Sequence, residues 1–478
     1  MSTREILAFW GGPLGFSLAL ILLPTSGEIN QAALAGTAWW MLWWWVGGAV
    51  ALGPTSLLPI ALFPAMGVMD IQSVAAPFGS RFIWLFLGGF VLALALERHG
   101  LHRRFALHLL RRMGGGPRRT LLGFMLATAL MSMWISNTAT TLMMLPMAMA
   151  VLALLEEQNG PLAWGNALVL GVAYGANTGG MATLVGTPPN AALAGVASDR
   201  FGVDIGFVEW MAVGLPISMV VLLAVYGGLV VMHKLPKSNG EGNTNEVVSA
   251  EWSKLGFMSK AEKRVLVLFG GTAFLWMFRR PLNGWVEPLG LELNDTSVAV
   301  AAAILCFACP SGFIGEKGQK ERLLGAEDLR RLPWEILLLF GGGLALAKGF
   351  EMAGWATVLA EHAANLGWSV VAMLVLVTAM GLFATELMSN LALTLLLTPV
   401  AGALAIGMGV HPLYFAAPVA LASSGAFMLP MATPPNAIVF SSGRIRMADM
   451  AKTGLILNLT TLGIILLLWW WLAPAGWS

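Results

Sequence analysis

Residues Met133 to Pro146 read MWISNTATTLMMLP, so three polar side chains, Ser136, Asn137 and Thr138, stand together inside an apolar stretch. The chain around them has 478 residues, of which 57% are hydrophobic and only 11% charged. An average soluble domain carries about 25% charged residues. Apolar stretches of about 20 residues recur along the sequence, which predicts an all-α polytopic membrane protein. In lipid, polar groups must be satisfied within the protein, so this triplet indicates a helix end that serves a site.

Several apolar segments are too long for one membrane crossing. Residues 120–155 and 368–405 can each enter and return, which predicts two re-entrant helical hairpins whose tips are shielded by protein. Residues 165–199 and 412–441 contain GTPPN (186–190) and ATPPN (432–436). Paired prolines cannot continue a helix from its interior, so each of these segments is predicted to be a broken helix. The last span is 453–474, and we expect about 11 transmembrane helices besides the hairpins.

The two halves of the sequence resemble each other in three places and in the same order. LFLGGFVLALALERHG (85–100) matches LFGGGLALAKGFEMAG (339–354), ISNTATTLMMLP matches MSNLALTLLLTP, and GTPPNAALA matches ATPPNAIVF. Such repetition indicates an internal duplication around a central site. We therefore predict a first repeat over 1–232, a polar linker over 233–260 and a second repeat over 261–478.

The charges of the loops predict the orientation. The segment from Arg98 to Arg119 is densely basic, which places it in the cytoplasm. The segment from Lys348 to Trp368 carries little positive charge, which places it outside. The first hairpin then enters from the cytoplasm and the second from outside, as in an inverted repeat. The protein is expected in the cell (inner) membrane, with a cytoplasmic N-terminus and an external C-terminus.

The residue types at the tips suit an anion and a hard cation together. A helix that begins inside the membrane presents free N–H groups, which bind anions. Ser, Asn and Thr favour such helix starts, and their oxygens with unwound carbonyls suit sodium. The second tip offers Ser389 and Asn390. The alternative is a proline kink with small-residue helix packing. It could explain either motif alone, but the occurrence of both motifs twice and in the same order disfavours it.

These motifs resemble those of the divalent anion/sodium symporter family (DASS), the INDY-type carboxylate transporters, over nearly the whole chain. The resemblance rests on SNTATTLMMLP, GTPPN, MSNLALTLLLTP and ATPPN, with FLGGFVLALALERHGLHRR and LPWEILLLFGGGLALA. It implies a homodimer in which a transport domain moves against a scaffold domain like an elevator. It also implies co-transport of sodium ions with a di- or tricarboxylate or with sulfate.

The resemblance also implies roles for individual residues. Substrate would be bound by the first tip, the second tip and the two broken helices, at Ser136, Asn137, Thr138, Ser389, Asn390, Leu391, Thr187, Pro188, Thr433 and Pro434. The first sodium site would use Ser132, Ser136, Asn137 and Gly186. The second would use Thr385, Met388, Asn390 and Ala432, with Met388 and Ala432 acting through their carbonyls.

One residue departs from the family pattern at the site itself. The second tip of the family usually reads Ser-Asn-Thr, and Leu391 replaces that threonine here. Two helix-end anion sites, one per tip, match the two carboxylates of a C4-dicarboxylate such as succinate, malate or fumarate, which is the first expectation. The hydroxyl lost at Leu391 puts the anion in question, with sulfate as the first rival and citrate as the second. If Leu391 faces the ligand, Leu391→Thr should tighten binding by about 1 kcal/mol.

Other readings of the polar residues remain open. Glu386 lies within the second hairpin, where it either relays protons or caps and orients the tip. Sodium-independent exchange of anions is an alternative to symport. An intramembrane enzyme is disfavoured because the motifs contain no nucleophile–base pair and no HExxH. A channel does not explain a duplicated site. No nucleic-acid partner is expected.

Overall fold

A computed structural model describes residues 3–23, 30–113, 116–160, 162, 164–237, 244–314, 320–355, 358, 361 and 367–473. Most of this part is helical. The helices are α1 (Thr3–Leu22), α2 (Gln31–Gly47), α3 (Leu52–Thr55), α4 (Leu58–Ala65), α5 (Ile71–Ala75), α6 (Arg81–Arg98), α7 (Leu101–Met113), α8 (Pro117–Ser132), α9 (Asn137–Asn159), α10 (Gly165–Gly180), α11 (Pro188–Phe201), α12 (Phe207–Met232), α13 (Thr244–Leu255), α14 (Lys260–Val286), α15 (Asp295–Ala308), α16 (Trp334–Met352), α17 (Val370–Ala384), α18 (Asn390–Gly407), α19 (Leu413–Ser423), α20 (Pro434–Phe440) and α21 (Met447–Leu472).

Two short strands are a small departure from the all-helical prediction. They are β1 (Pro310–Ile314) and β2 (Lys320–Arg322), which pair antiparallel between α15 and α16. Short 3-10 turns occupy Ala76–Gly79, Glu287–Leu289 and Ala326–Arg331.

Seven helices of the described part are long and apolar enough to cross a membrane. They span Glu5–Leu22, Ile71–Arg98, Asn137–Glu157, Phe207–Met232, Lys260–Leu289, Asn390–Gly407 and Met447–Leu472. Shorter apolar helices lie at Leu52–Ala65, Asp295–Ala308, Val370–Ala384 and Leu413–Ser423. The prediction of an all-α polytopic membrane protein is confirmed at this level.

The helices begin and end at the motifs. α8 ends at Ser132 and α9 begins at Asn137, so the chain turns within four residues inside the segment predicted as the first hairpin. α17 and α18 repeat this turn around Ser389. In GTPPN and ATPPN, the first proline is the first residue of α11 and of α20, where its missing N–H costs nothing.

Glycines let the first hairpin approach α10 closely. A Cβ atom at Gly175 would lie 2.9 Å from the carbonyl oxygen of Met125, and one at Gly179 would collide with the backbone of Ala129. Gly180 lies against the side chain of Asn137, because a Cβ atom at Gly180 would be 2.7 Å from Asn137 Oδ1. The glycine-rich stretch before GTPPN therefore brings α10 into backbone contact with the hairpin that carries the first tip.

The matching segments of the two halves run antiparallel. α6 and α16 meet at their middles, where the rings of Phe86 and Phe340 lie 5.4 Å apart. The end of α6 lies beside the start of α16, because Arg98 pairs with Asp328. At the other end, Lys348 of α16 donates a hydrogen bond to the Ser73 carbonyl at 3.2 Å. This is the arrangement that an inverted repeat requires.

Two segments expected as polar loops contain helices. The basic segment forms the amphipathic helix α7, which buries Leu101, Ala106, Leu107 and Leu110. The linker contains α13, so its prediction as a loop is wrong over Thr244–Leu255. Apolar side chains of α13 cover α7: Trp252 lies 5.9 Å from the guanidinium of Arg104, which also pairs with Glu262 at 2.7 Å.

The tryptophan-rich stretch of α2 packs against α1. Glycines of α1 leave room for its indole rings, and Trp44 Nε1 donates to the Phe9 carbonyl at 2.8 Å. Trp39 Nε1 does the same to Gly11 at 3.0 Å. These rings hold two helices together.

Candidate functional site

At the first tip, several oxygen atoms lie close together, and the acceptors outnumber the protons available for hydrogen bonds. The Oγ atom of Ser132 lies 2.5 Å from Asn137 Oδ1 and 2.8 Å from the carbonyl oxygen of Ala176. A hydroxyl has one proton, so it can satisfy only one of these two acceptors. Ser136 caps α9, because its Oγ accepts the Ala139 amide at 3.2 Å. Such a cluster of neutral oxygens with surplus lone pairs suits a hard cation.

The second tip repeats this geometry. Thr385 Oγ1 lies 2.6 Å from Asn390 Oδ1 and 2.9 Å from the carbonyl oxygen of Ser423. Ser389 caps α18, with the Ala392 amide 3.5 Å from its Oγ. Each cluster thus combines a hydroxyl at the end of one hairpin arm, an asparagine at the start of the other, and a carbonyl of the neighbouring broken helix.

The first break supplies the remaining predicted partners of the first sodium site. A Cβ atom at Gly186 would lie 2.6 Å from the Gly180 carbonyl oxygen and 3.1 Å from Thr183 Oγ1, so only glycine fits there. Gly180 in turn touches Asn137 and the side chain of Thr187. The structure therefore brings Asn137, Gly186 and Thr187 together around Gly180.

The second break is less tightly closed around its tip. Ala432 is 5% exposed and donates its amide to the Leu429 carbonyl at 3.2 Å. The side chain of Met388 packs against an apolar cluster, which leaves its carbonyl as the group available to a cation. Met431, the neighbour of Ala432, is 68% exposed.

An asparagine in each PPN motif holds the break open, and the sequence interpretation did not include it. Asn190 Nδ2 donates toward the carbonyls of Gly180 at 3.0 Å and Thr183 at 2.7 Å. Asn436 Nδ2 lies 3.1 Å from the carbonyls of both Ala426 and Leu429. These side chains give the carbonyls around each interrupted helix a side-chain donor, in addition to the backbone amides that Thr183 and Leu429 also accept. The repetition of Asn at the same place in GTPPN and ATPPN was the available signal.

Two residues of α10 join the halves of the site, and these also escaped the sequence interpretation. Asn177 Nδ2 lies 3.1 Å from Thr433 Oγ1 and 3.2 Å from Asn436 Oδ1. The hydroxyl of Tyr174 donates to the Phe427 carbonyl at 2.8 Å. Both side chains are at most 1% exposed, so the first broken helix is bonded to the second in the interior.

Glu386 caps the second break. Its Oε1 accepts the amides of Phe427 and Met428, both at 3.0 Å, and Oε2 accepts the Leu429 amide at 2.9 Å. Asn458 of α21 donates to Oε1 at 2.7 Å. Four donors thus surround one buried carboxyl group, which serves as the shared acceptor in a nest of amides. Between the two roles left open for Glu386, this geometry favours capping, although the amides are those of the break and not of the tip.

The predicted substrate-binding residues differ in exposure. Thr138 at the first tip is half-buried, as are Ser136, Asn137, Pro188, Ser389 and Asn390, whereas Pro434 is exposed. Thr187 and Thr433 are each 3% exposed. Leu391 is 5% exposed and belongs to an apolar cluster with Ala191, Leu344 and Leu395. The structure thus gives no support to a ligand contact by Leu391, which stays a prediction.

Within the described residues, no group of three or more His, Cys, Asp or Glu side chains could hold a metal ion together. The oxygen clusters at the tips are of a different kind, because they consist of hydroxyl, amide and backbone oxygens. Such neutral sets match an ion of single charge that must also leave again.

Comparison with known proteins gives a consistent result. The family described as "Sodium:sulfate symporter transmembrane region" matches residues 13–477. A protein of Staphylococcus saprophyticus named sodium-dependent dicarboxylate transporter SdcS is 36% identical over 477 residues, covering 97% of this chain and 90% of the relative. The Staphylococcus aureus (strain MRSA252) protein of the same name is 36% identical over 490 residues, covering 99% and 92%.

Two solved transporters share the fold at low sequence identity. The YdaH transporter of Alcanivorax borkumensis aligns with a TM-score of 0.57 and 16% identity, over 99% of both chains. MtrF of Neisseria gonorrhoeae aligns with a TM-score of 0.57 and 16% identity, over 85% of both chains. At this identity the likeness concerns the fold alone.

Proposed function

The chain belongs to the sodium:sulfate symporter family, and we propose that it couples the inward movement of sodium to that of a C4-dicarboxylate such as succinate, malate or fumarate. As a member of this family it is a secondary transporter and not an enzyme. The observation that carries the proposal is the duplicated oxygen cluster, one at each tip. In the two relatives described above, the names specify sodium dependence and dicarboxylate transport.

The proton count of the two clusters supports sodium binding at the tips. At each tip, one hydroxyl proton serves an amide oxygen and a carbonyl oxygen, both within 2.9 Å. A sodium ion between these oxygens would satisfy the lone pairs that the proton leaves free. We assign the first ion to Ser132, Ser136, Asn137 and Gly186, and the second to Thr385, Met388, Asn390 and Ala432.

The dicarboxylate would lie between the tips. Residues 132–138, 180–188, 385–391 and 426–434 include no Lys or Arg. Anion binding there must rely on helix N-termini, neutral donors and the charge of bound sodium. Two helix starts, α9 and α18, match two carboxylates. We assign substrate contacts to Ser136, Asn137, Thr138, Thr187, Pro188, Ser389, Asn390, Thr433 and Pro434.

An elevator motion is supported by a difference between the repeats. Along α9, Leu142, Pro146 and Ala150 are exposed. At the matching positions of α18, the same residue types, Leu395, Pro399 and Ala403, are buried. α18 packs on α16, and α11 packs on both α16 and α6.

We infer that the described conformation opens to the cytoplasm. The exposed face of α9 runs from the first tip to Glu156, which pairs with Arg444 at 2.5 Å on the side of the basic segments. In the opposite state, α9 and α20 would pack on the scaffold and α18 with α11 would become exposed. In this proposal the transport domain comprises the hairpins and broken helices, and the scaffold includes the early helices of each repeat. The unit is a homodimer in the inner membrane. Its N-terminus lies in the cytoplasm and its C-terminus outside.

Reconstituted protein tests substrate and coupling. Uptake of labelled succinate should saturate and should fall to background when choline replaces sodium. Unchanged uptake in choline would instead indicate sodium-independent exchange. Thermal stabilisation by succinate, malate, citrate and sulfate, each with and without sodium, identifies the anion. Stabilisation by sulfate alone would replace the dicarboxylate assignment.

Cysteine accessibility tests the motion. In a background with Cys306→Ser and Cys309→Ser, Ala150→Cys should react with an impermeant reagent from the cytoplasmic side. Ala403→Cys should react from outside, in the fraction of the carriers that occupies the opposite state. If Ala403→Cys stays unreactive in a transporting protein, the elevator model is wrong.

A further inference from the structure

An apolar crevice of about 280 Å³ lies between α7, α8 and α14. α7 contributes Phe105 and Leu109 to its wall, α8 contributes Leu130, and α14 contributes Phe269. The inner end is formed by Trp134 and Ile135. The crevice therefore extends from the amphipathic helix at the cytoplasmic boundary to the residues that immediately precede the first tip.

The mouth of the crevice opens to the lipid side. Phe105 is 36% exposed and Leu130 is 46% exposed, although both line the crevice. On the neighbouring α14, Val267 is 72% exposed. Apolar side chains with this exposure, on a helix that can span the membrane, face hydrocarbon.

Arg112 of α7 and Arg119 of α8 lie toward the cytoplasmic ends of the helix faces that line the crevice. Arg112 follows Phe105 by seven residues and Leu109 by three, which places it on the crevice face of α7. Arg119 lies eleven residues before Leu130, about three turns, on the corresponding face of α8. Both arginines are exposed, and among the described residues neither forms an ion pair. Arg111 instead turns toward α13, with its guanidinium 5.9 Å from the ring of Trp252.

We propose that the crevice binds an anionic phospholipid of the cytoplasmic leaflet. One acyl chain fills the space between α7, α8 and α14, and the phosphate lies between Arg112 and Arg119. Charge decides the lipid class, because two unpaired guanidinium groups at the membrane surface attract an anionic headgroup and gain little from a zwitterionic one. The geometry needs no other protein and no soluble ligand.

The lipid would also act on the first tip. Trp134 and Ile135 are the two residues before Ser136, so an acyl chain that packs on them stabilises the peptide that carries the first oxygen cluster. An anionic bilayer should therefore lower the sodium concentration for half-maximal transport. This functional effect rests on the proposed sodium coupling, whereas lipid binding itself does not.

Native mass spectrometry with phosphatidylglycerol and phosphatidylcholine tests the binding. The parent protein should retain phosphatidylglycerol, and Arg112→Gln and Arg119→Gln should each weaken retention about fivefold. Arg111→Gln is the matched control, because it removes the same charge from the other face of α7. Ala127→Leu, which fills the crevice without changing charge, should also release the lipid. Equal loss in the Arg111 control, or full retention in the double variant of Arg112 and Arg119, would overturn the site.

The functional effect is tested in liposomes of the two lipids. The parent should need about threefold to tenfold less sodium for half-maximal uptake in phosphatidylglycerol, and the double variant should lose this difference. If the double variant loses the lipid but keeps the difference, the coupling to the tip is wrong. If uptake needs no sodium in any bilayer, the proposed function fails, while the mass-spectrometric result still decides the lipid site.

Discussion

Replacing Glu386 by glutamine should destabilise the second break while leaving its shape nearly unchanged. The carboxyl group accepts four hydrogen bonds, three of them from consecutive backbone amides, and is 3% exposed. Glutamine keeps one oxygen, which can stay with the donors at Oε1. Its NH2 group must then face the Leu429 amide, so two donors oppose each other.

The magnitude follows from this count. A buried N–H left without an acceptor costs about 1–3 kcal/mol. The other three donors keep an acceptor oxygen at Oε1, so their loss is small by comparison. We therefore expect Glu386→Gln to lower the free energy of unfolding by about 1–3 kcal/mol. Glu386→Ala removes the acceptor of the Met428, Leu429 and Asn458 donors, while the Phe427 amide keeps Asn458 Oδ1 at 3.1 Å, and it should prevent stable expression.

Thermal melting in detergent and sodium-dependent uptake measure the effect. Glu386→Gln should melt at a lower temperature and need more sodium, because the break that holds Ala432 is loosened. Glu157→Gln, at the exposed end of α9, is the control and should resemble the parent. A Glu386→Gln protein with parental melting and sodium dependence would refute the capping role. Loss of a proton-driven uptake with unchanged melting would instead support proton relay.

Three further predictions concern the tips, the packing and the cytoplasmic end of α6. Asn137→Ala and Asn390→Ala should each raise the half-maximal sodium concentration for uptake at least tenfold, because each removes the amide oxygen of one cluster. Equal sodium curves for the parent and the variants would refute the assignment. Gly179→Ala should lower the melting temperature sharply because its Cβ meets the backbone of Ala129, whereas Gly227→Ala, with no atom within 4 Å of its Cβ, should not. Burial lowers the pKa of His99 below its usual 6.5. The contribution of the neutral ring to stability is therefore complete above pH 6.5 and is lost as the pH falls. The melting temperature should accordingly change less between pH 7.5 and 5.5 in His99→Gln than in the parent.

The sequence predicts the places where helices break, because local chemistry determines them. Proline removes a donor and blocks helix continuation, so Pro188 and Pro434 had to begin helices. Ser136 and Ser389 stand before apolar helices, where a hydroxyl satisfies a free amide. Duplication then doubles the weight of each signal. For this reason the tips, the breaks and the membrane class could all be predicted from residues near in sequence.

The partners across the fold could not be predicted in this way. Asn177 contacts Asn436, 259 positions away, and nothing near Asn177 in the sequence marks that contact. Glu386 stands out in the sequence as an acid at membrane depth, but its partners lie 41 to 72 positions away, in the second break and on α21. The helix α13 was missed because its polar residues resemble a loop, and only packing on α7 gives its apolar side chains a place.

The difference between Thr138 and Leu391 should bias the transporter toward the described conformation. Along the two hairpins, Leu142, Pro146 and Ala150 match Leu395, Pro399 and Ala403 in residue type. The total buried apolar area is therefore nearly the same whether the first or the second set is buried. Such near-equality lets a carrier visit both states.

Leu391 breaks this balance. Its side chain is buried in this state, whereas Thr138, at the matching position, is half-buried. Burying leucine instead of threonine favours the state by about 1–2 kcal/mol, which is a population ratio of about five to thirty. Leu391→Thr should therefore shift the population outward, raising the reactivity of Ala403→Cys and lowering that of Ala150→Cys. Adding Thr138→Leu should shift it further in the same direction, because leucine is then buried in the opposite state. Unchanged reactivity in both variants would show that these positions do not set the balance.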